Sequence, residues 1–348
     1  MKMNVLIRFL VVMGMLFSMQ SIALAEINPY RGLVIAEDNN EEVLREEALK
    51  QVLIKVSGNV DIIALEESKK LTTNIRSMLS QFGYQNIGNT RFYYALFDKS
   101  KINAALSQMQ QPIWGETRPS PLIWLVNENR KITSEDMINS YQDNELSWGL
   151  KKVELNRGII AKFPLLDLDE ALTIRSSDIT GRFHQIVASA SKRYGAEYVV
   201  LANLFKTRDN KWQLRWELVQ YDVDNNKIQL LNRRIMSDTK SAVVSKMLND
   251  IADYYAQKFS IFENNGKKLT QVININRIHS LSDLTLLNQV LENLNAVDSF
   301  KVIEINEQQV KVLVTLKGGL ISLENALNAQ PQIQRDKSPG LYFHYNWQ

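Results

Sequence analysis

The sequence predicts a mixed α/β protein, α+β in its sheet types, built from three small domains. Three observations carry that prediction. Apolar residues switch between a helical period, as from Val43 to Val56, and short β-branched or aromatic runs, as from Tyr198 to Phe205. Glycine, proline and asparagine interrupt these segments at short intervals. The 348 residues also exceed what one hydrophobic core commonly holds.

The first 25 residues stand apart. Lys2 and Arg8 make a positive start, Phe9 to Met19 an apolar run, and Ala23-Leu24-Ala25 supplies the small residues a signal peptidase admits. Residues 1–25 are therefore expected to be a signal peptide cleaved after Ala25. A membrane anchor needs roughly 20 apolar residues, and Ser18, Gln20 and Ser21 interrupt the run too early. No cysteine follows to carry a lipid. The mature chain is expected in the periplasm, soluble and without a membrane span.

Charge and cysteine content narrow the function classes. Removing Lys2 and Arg8 from 41 basic residues leaves 39 against 38 acidic ones. The pairs Lys69-Lys70, Lys151-Lys152, Arg233-Arg234 and Lys267-Lys268 are isolated. Nucleic acid is not an expected partner, because it needs a clustered positive field. With no cysteine there is no disulfide framework, thiol nucleophile or thiolate metal site.

The first domain spans residues 26–111. Tyr30 to Ala36 reads as a strand, and Asn39 or Asn40 caps a helix through Val43, Leu44, Ala48, Val52, Leu53 and Val56. Ser57-Gly58 stops it. A second helical stripe, Ile75, Met78, Leu79 and Phe82, is expected to run to Gly83. Arg91 to Phe97 is an aromatic strand, and Asp98 caps a short helix, giving β-α-α-β-α.

Residues 112–119 form a stiff connector. Pro112, Pro119 and Pro121 bracket Ile113-Trp114-Gly115-Glu116-Thr117-Arg118, and proline biases its neighbours to extended backbone.

The second domain spans residues 120–264. Leu122 to Val126 is a buried strand, Leu146, Leu150 and Val153 lie on a helix ending at Gly158, and Ile159 to Phe163 reads as a second strand closed by Pro164. Phe183 to Ala190 is helical and stops at Gly195. Three strands follow, Tyr198–Phe205, Trp212–Tyr221 and Ile228–Ile235, turning at Asp209-Asn210 and Asp224-Asn225-Asn226. A long helix through Val244, Met247, Ile251, Tyr255 and Phe259 completes a mixed sheet covered by helices.

The third domain spans residues 267–348, after a break at Asn265-Gly266. Val272 to Ile275 is a strand, Ser282 is expected to cap the next helix, and Val302–Ile305 pairs with Val310–Leu316 around Asn306-Glu307. Gly318-Gly319 leads to a helix through Leu323 and Leu327, and Leu341–Trp347 is the last strand. The order β-α-β-β-α-β is ferredoxin-like.

Several stretches carry a family resemblance. They are Arg45 to Gly58, Pro112 to Gly115 with Arg118-Pro119, Leu122 to Leu125, Pro164 to Asp169, Ala190 to Ala196 and Trp212 to Trp216, with Gly318-Gly319 and the final strand. Together they resemble the exported bacterial proteins grouped as domain of unknown function 2066. The resemblance implies a periplasmic protein of Gram-negative bacteria and brings no catalytic residues. The central element order is also similar to the small domains at the front of TolB and in penicillin-binding-protein activator lipoproteins, which are protein–protein interaction modules.

Few residues suggest chemistry. Asp167, Asp169 and Glu170 could hold a hard cation after a strand, yet no glycine-centred loop or further ligand run follows, and capping by Asp167 explains them. His184, His279 and His344 are too far apart for a histidine metal site. His184 near Asp178 and Arg182 could act as a base, but it lacks an oriented partner in the sequence. Trp114 and Arg118 are the candidate partner-binding residues, either as an exposed aromatic and guanidinium surface or as packing in a domain joint. Elbow, phosphate-loop, dinucleotide and zinc-helix motifs are absent from the sequence.

These readings favour a non-catalytic interaction or scaffold protein with envelope-protein partners and no cofactor or metal. An enzyme acting on cell wall or glycan, with Asp167, Asp169 and His184 as its nucleus, is the alternative. A periplasmic ligand-binding protein is a third.

Overall fold

The computed structural model describes residues 28–37, 40–116, 118–128, 137, 144–222, 227–262 and 269–348. The expected signal peptide, Asn39, Thr117, the turn at Asp224-Asn225-Asn226, the break at Asn265-Gly266 and the pair Lys267-Lys268 lie outside them. No helix among the described residues is long and apolar enough to cross a membrane. The architecture is mixed α+β, with three open sheets and covering helices.

The first sheet holds β1 (Arg31–Ile35), β2 (Leu79–Ile87) and β3 (Thr90–Phe97) in the antiparallel order β1-β3-β2. Helix α1 (Glu41–Ser57) packs on it, begun by Asn40, whose side chain accepts from the Glu42 amide, and ended by Gly58 in the left-handed region. Two short helices, α2 (Glu66–Leu71) and α3 (Ile75–Met78), precede β2, and α4 (Lys99–Gln108) follows β3, capped by Asp98.

The helix expected to reach Gly83 is instead one turn followed by a nine-residue strand. A two-residue turn after Ile87, with Gly88 at φ 57°, folds β2 back onto β3. Cross-strand pairing then places Phe82 and Tyr84 on the Tyr93 ring, at 6.4 and 5.4 Å between centroids. Those contacts outweigh an apolar spacing that mimics a helix.

The second sheet has the order β4-β5-β6-β7: β4 (Leu122–Glu128), β5 (Tyr198–Lys206), β6 (Trp212–Asp222) and β7 (Lys227–Asp238). β4 and β5 run parallel and the other pairs antiparallel, so the sheet is mixed. On one face lie α5 (Asn144–Arg157) and α9 (Lys240–Phe259), closing a core with Trp216, Leu146 and Ile251. On the other lie α6 (Leu168–Thr173), α7 (Ser176–Thr180) and α8 (His184–Ser191), over Trp124 and Leu201.

The strand expected at Ile159–Phe163 is a single bridge at Lys162. Its amide donates to the Pro121 carbonyl at 2.9 Å and its carbonyl accepts from Ile123 at 2.8 Å. The rungs on either side of it would need N–H groups at residues 121 and 164, and both are proline. Pairing stops there.

The third sheet has the order β11-β12-β8-β10-β9. Its elements are β8 (Thr270–Asn276), α10 (Leu281–Asn293), β9 (Val297–Asn306), β10 (Gln309–Leu316), α11 (Leu320–Asn328), β11 (Ile333–Arg335) and β12 (His344–Trp347). Ser280, not Ser282, caps α10. Its hydroxyl accepts from the Asp283 amide at 3.1 Å while the Asp283 carboxylate accepts from the Ser280 amide at 2.9 Å.

The last segment forms strand only over its final four residues, because Gly340 and Phe343 both take positive φ. The added strand β11 reverses the chain, so β12 runs parallel to β8 and the order becomes β-α-β-β-α-β-β. One apolar cluster contains residues of both the first and the third sheets. Ile113 and Ile261 belong to it and exchange two backbone hydrogen bonds, of 2.7 and 3.0 Å.

Candidate functional site

The polar residues of greatest consequence gather where the connector passes the ends of α1 and α5. A helix leaves its last carbonyls without intrahelical donors. At the end of α1, the Lys55 carbonyl accepts from Arg118 at 2.6 Å, the Val56 carbonyl from the Trp114 amide at 2.6 Å, and the Gly58 carbonyl from Arg157 at 3.0 Å. At the end of α5, the Arg157 and Gly158 carbonyls accept from Arg118 Nη1 at 2.7 and 3.3 Å.

Arg118 is the centre of this joint. It also donates to the Gly115 carbonyl at 2.8 Å and the Trp114 carbonyl at 2.9 Å, and its guanidinium lies 4.0 Å from the centroid of the Trp114 ring. Five carbonyl oxygens therefore surround one cation, at two helix ends whose dipoles favour positive charge. Burial lowers its pKa to about 9, which leaves it charged at neutral pH.

Arg157, itself 2% exposed, holds Asp253 of α9 at 2.6 Å and Asn249 at 3.1 Å. Gln51 of α1 reaches Asn156 at 3.0 Å and both backbone groups of Leu33. The first and second sheets are thus tied through side chains on three helices.

The surface reading of Trp114 fails here. Its side chain is 0% exposed, enclosed beneath Arg118 and against Gly58. A ring wedged between two helix ends and a connector cannot meet a partner. Gly115 completes the fit, because a Cβ there would lie 2.0 Å from the Asn295 amide.

Lys55 is buried beside this joint, its ammonium donating to the Arg31 carbonyl and, at 3.4 Å, to Gln51. Burial first, then Arg118 and Arg31, lowers its pKa to about 7. Between pH 7 and 10.5 the unfolded chain holds a proton on this amine that the folded chain lacks. Stability should therefore rise with pH across that window, by at most about 1.4 kcal/mol per unit. Tyr30 acts oppositely above pH 10, since burial pushes its hydroxyl up to about 12. Urea midpoints measured from pH 6 to 10 are expected to climb above pH 7 for the native chain and to stay flatter in Lys55→Met.

Of the residues singled out for catalysis, Asp167 and His184 fall into two separate ion-pair groups. Asp167 caps α6 by accepting from the Glu170 amide at 3.1 Å, and both its oxygens meet Arg193, at 3.0 and 2.8 Å. The Arg193 hydrogen bonds, then that amide, hold its carboxyl below the usual range. Asp169 lies in the first turn of α6, at a shallow pocket it shares with Glu170, Gln185 and Arg193. His184 instead contacts Glu217 at 2.8 Å.

Glu217 is the buried carboxylate that sequence reading passed over. It is 1% exposed on β6, and Arg182 and Arg233 reach it at 2.7 Å each. A carboxylate set among Trp216, Leu218 and Val219 is a legible signal that cationic partners must exist. Lys55, on the buried stripe of α1, is another such signal. Among the described residues, no group of three or more His, Cys, Asp or Glu is placed to hold a metal ion.

Beside the joint, Arg118 also lines a cleft of ≈ 450 Å³. The other walls are Glu116 and Ser120 of the connector region, Gly158 and Ile160, the outer side of α10, and the turn after α11.

A family model described as Domain of unknown function (DUF8605) matches residues 28–115, the first sheet with its helices and the start of the connector. That match overturns the resemblance to domain of unknown function 2066. The stretches that suggested it are parts of α1, of β4, β6 and β12, and of turns and the connector, and short local patterns of these kinds recur across unrelated folds. No curated protein matches the chain. Among solved structures, a PelC dodecamer from Paraburkholderia phytofirmans is similar at 9% identity and a TM-score of 0.23, covering 40% of this chain and 88% of its own. At that score the likeness carries no argument.

Proposed function

We propose that this chain is an exported periplasmic protein acting as a non-catalytic interaction or scaffold module of the cell envelope. The joint around Arg118 is the observation that carries this reading. Its strongest polar contacts hold one sheet unit against another, so the faces and clefts between them keep a constant geometry. Constant geometry suits recognition, because little order must be created on binding. The finer fold readings belong to the same proposal: a TolB-like central unit, and a third unit that is ferredoxin-like with one strand added.

Support also comes from how the reactive side chains are used. Asp167 is occupied by a helix cap and Arg193, while His184 gains in Glu217 the oriented partner the sequence lacked, a carboxylate that Arg182 and Arg233 already neutralise. Site-specific photo-cross-linking in intact cells is the direct test. Adducts with envelope proteins are expected, and their consistent absence would count against a scaffold. Asp167→Ala, Asp169→Ala and His184→Ala are each expected to complement a deletion strain. Asp167→Ala should lower stability modestly through its lost cap. Failure of all three to complement, with folding intact, would favour the glycan-acting enzyme instead.

A further inference from the structure

We propose that the cleft beside Arg118 binds an extended, uncharged peptide segment of a partner protein, with side-chain carboxamides engaging the segment's main chain. This rests on the interaction reading above and names the chemistry of the partner.

The lining chemistry makes the case. Gln289 and Asn293 of α10 and Gln332 of the turn after α11 bring three carboxamides to one cleft. Each presents a donor and an acceptor together, the pairing that a peptide main chain repeats at every residue. Leu286, Val290, Ile160 and Pro331 lie among them and give apolar footing for alternate side chains of an extended strand.

The charges in the walls argue for a neutral occupant. Arg118 already serves five carbonyls, and Glu116 pairs with Lys99 at 3.0 Å. An anion would have to compete with helix-end carbonyls for the guanidinium, and a cation with Lys99 for the carboxylate. No Phe, Tyr or Trp belongs to the lining, so the stacking platform that a sugar or base uses is missing from the described walls. The volume of ≈ 450 Å³ falls within the usual span of binding pockets, roughly 300–1,000 Å³.

The test uses the full mature chain and a phage-displayed library of random octapeptides. Gln289 is exposed on α10, so Gln289→Trp fills the cleft without touching a core, and its thermal midpoint should match the native one. Selected peptides are expected to be poor in charged residues. By fluorescence anisotropy they should bind Gln289→Trp at least about tenfold more weakly. Selection of nothing, or equal binding to both chains, overturns the proposal. Binding of chitotetraose that Gln289→Trp abolishes, with no peptide selected, overturns it in favour of a glycan.

A parallel measurement separates the two levels. A photo-cross-linker at Gln289 and another at Leu172, which is 78% exposed, are compared in cells. A partner captured at Leu172 and never at Gln289 sinks the cleft while the scaffold reading stands. Silence at both, and across the remaining surface, sinks both.

Discussion

Arg118→Ala is expected to lower stability by about 2–4 kcal/mol, the scale for taking one charged donor from several part-buried carbonyls. The physical reason is asymmetry. Each of its five hydrogen bonds contributes modestly, but removal takes the donor from the carbonyls of Lys55, Trp114, Gly115, Arg157 and Gly158 at one stroke. Two helix ends lose their cation together. Arg118→Lys should recover only part, because an ammonium has three donors and no planar fork. Urea unfolding followed by far-UV circular dichroism checks the ordering, native above Arg118→Lys above Arg118→Ala. Equal midpoints for all three would show that the joint contributes nothing measurable.

Gly58→Ala is expected to cost about 2–4 kcal/mol through two separable causes, a left-handed backbone and overpacking. Gly58 has φ 71°, and a Cβ there would lie 2.4 Å from the Ala256 methyl and 3.3 Å from the Trp114 ring. Gly88 is the control. It has φ 57° with nothing within 4 Å of a built Cβ, so Gly88→Ala carries the backbone cost alone, about 1–2 kcal/mol. Adding Ala256→Gly to Gly58→Ala should then restore the steric part and leave the backbone part. A double-mutant cycle with no coupling between positions 58 and 256 would contradict the close approach of α1 and α9.

What could be read in advance followed the range of the forces involved. Asn40, Asp98 and Gly195 mark helix ends, because a cap or a left-handed stop is settled by neighbours a few residues away. The three strands of the central hairpins were legible for the same reason: each carries a continuous run of β-formers between turn residues. Where a local pattern was ambiguous, a distant partner decided. Ile75, Met78, Leu79 and Phe82 have helical spacing, yet β3 and the turn at Gly88 made the chain from Leu79 onward a strand. Ile159 to Phe163 has strand composition, yet Pro121 and Pro164 lack the two donors that would extend the ladder either way.

The candidate site lay further from reach. Arg118 and Trp114 stood out by residue type and by their proline-bounded setting, but nothing in the order of residues says whether an indole is covered. The carbonyls that claim Arg118 come from residues 55, 114, 115, 157 and 158, and main-chain acceptors are identical at every position of a chain. Glu217 announced only that it needed partners; Arg182, His184 and Arg233 were supplied by folding. By itself, then, the order of amino acids determined the longer helices, several of their caps and the alternation of mixed α/β segments, all set by contacts within a few residues. Tertiary structure alone decided the joint, its cleft and the burial of Trp114, because those depend on which helix ends converge, and convergence is a property of the whole packed chain.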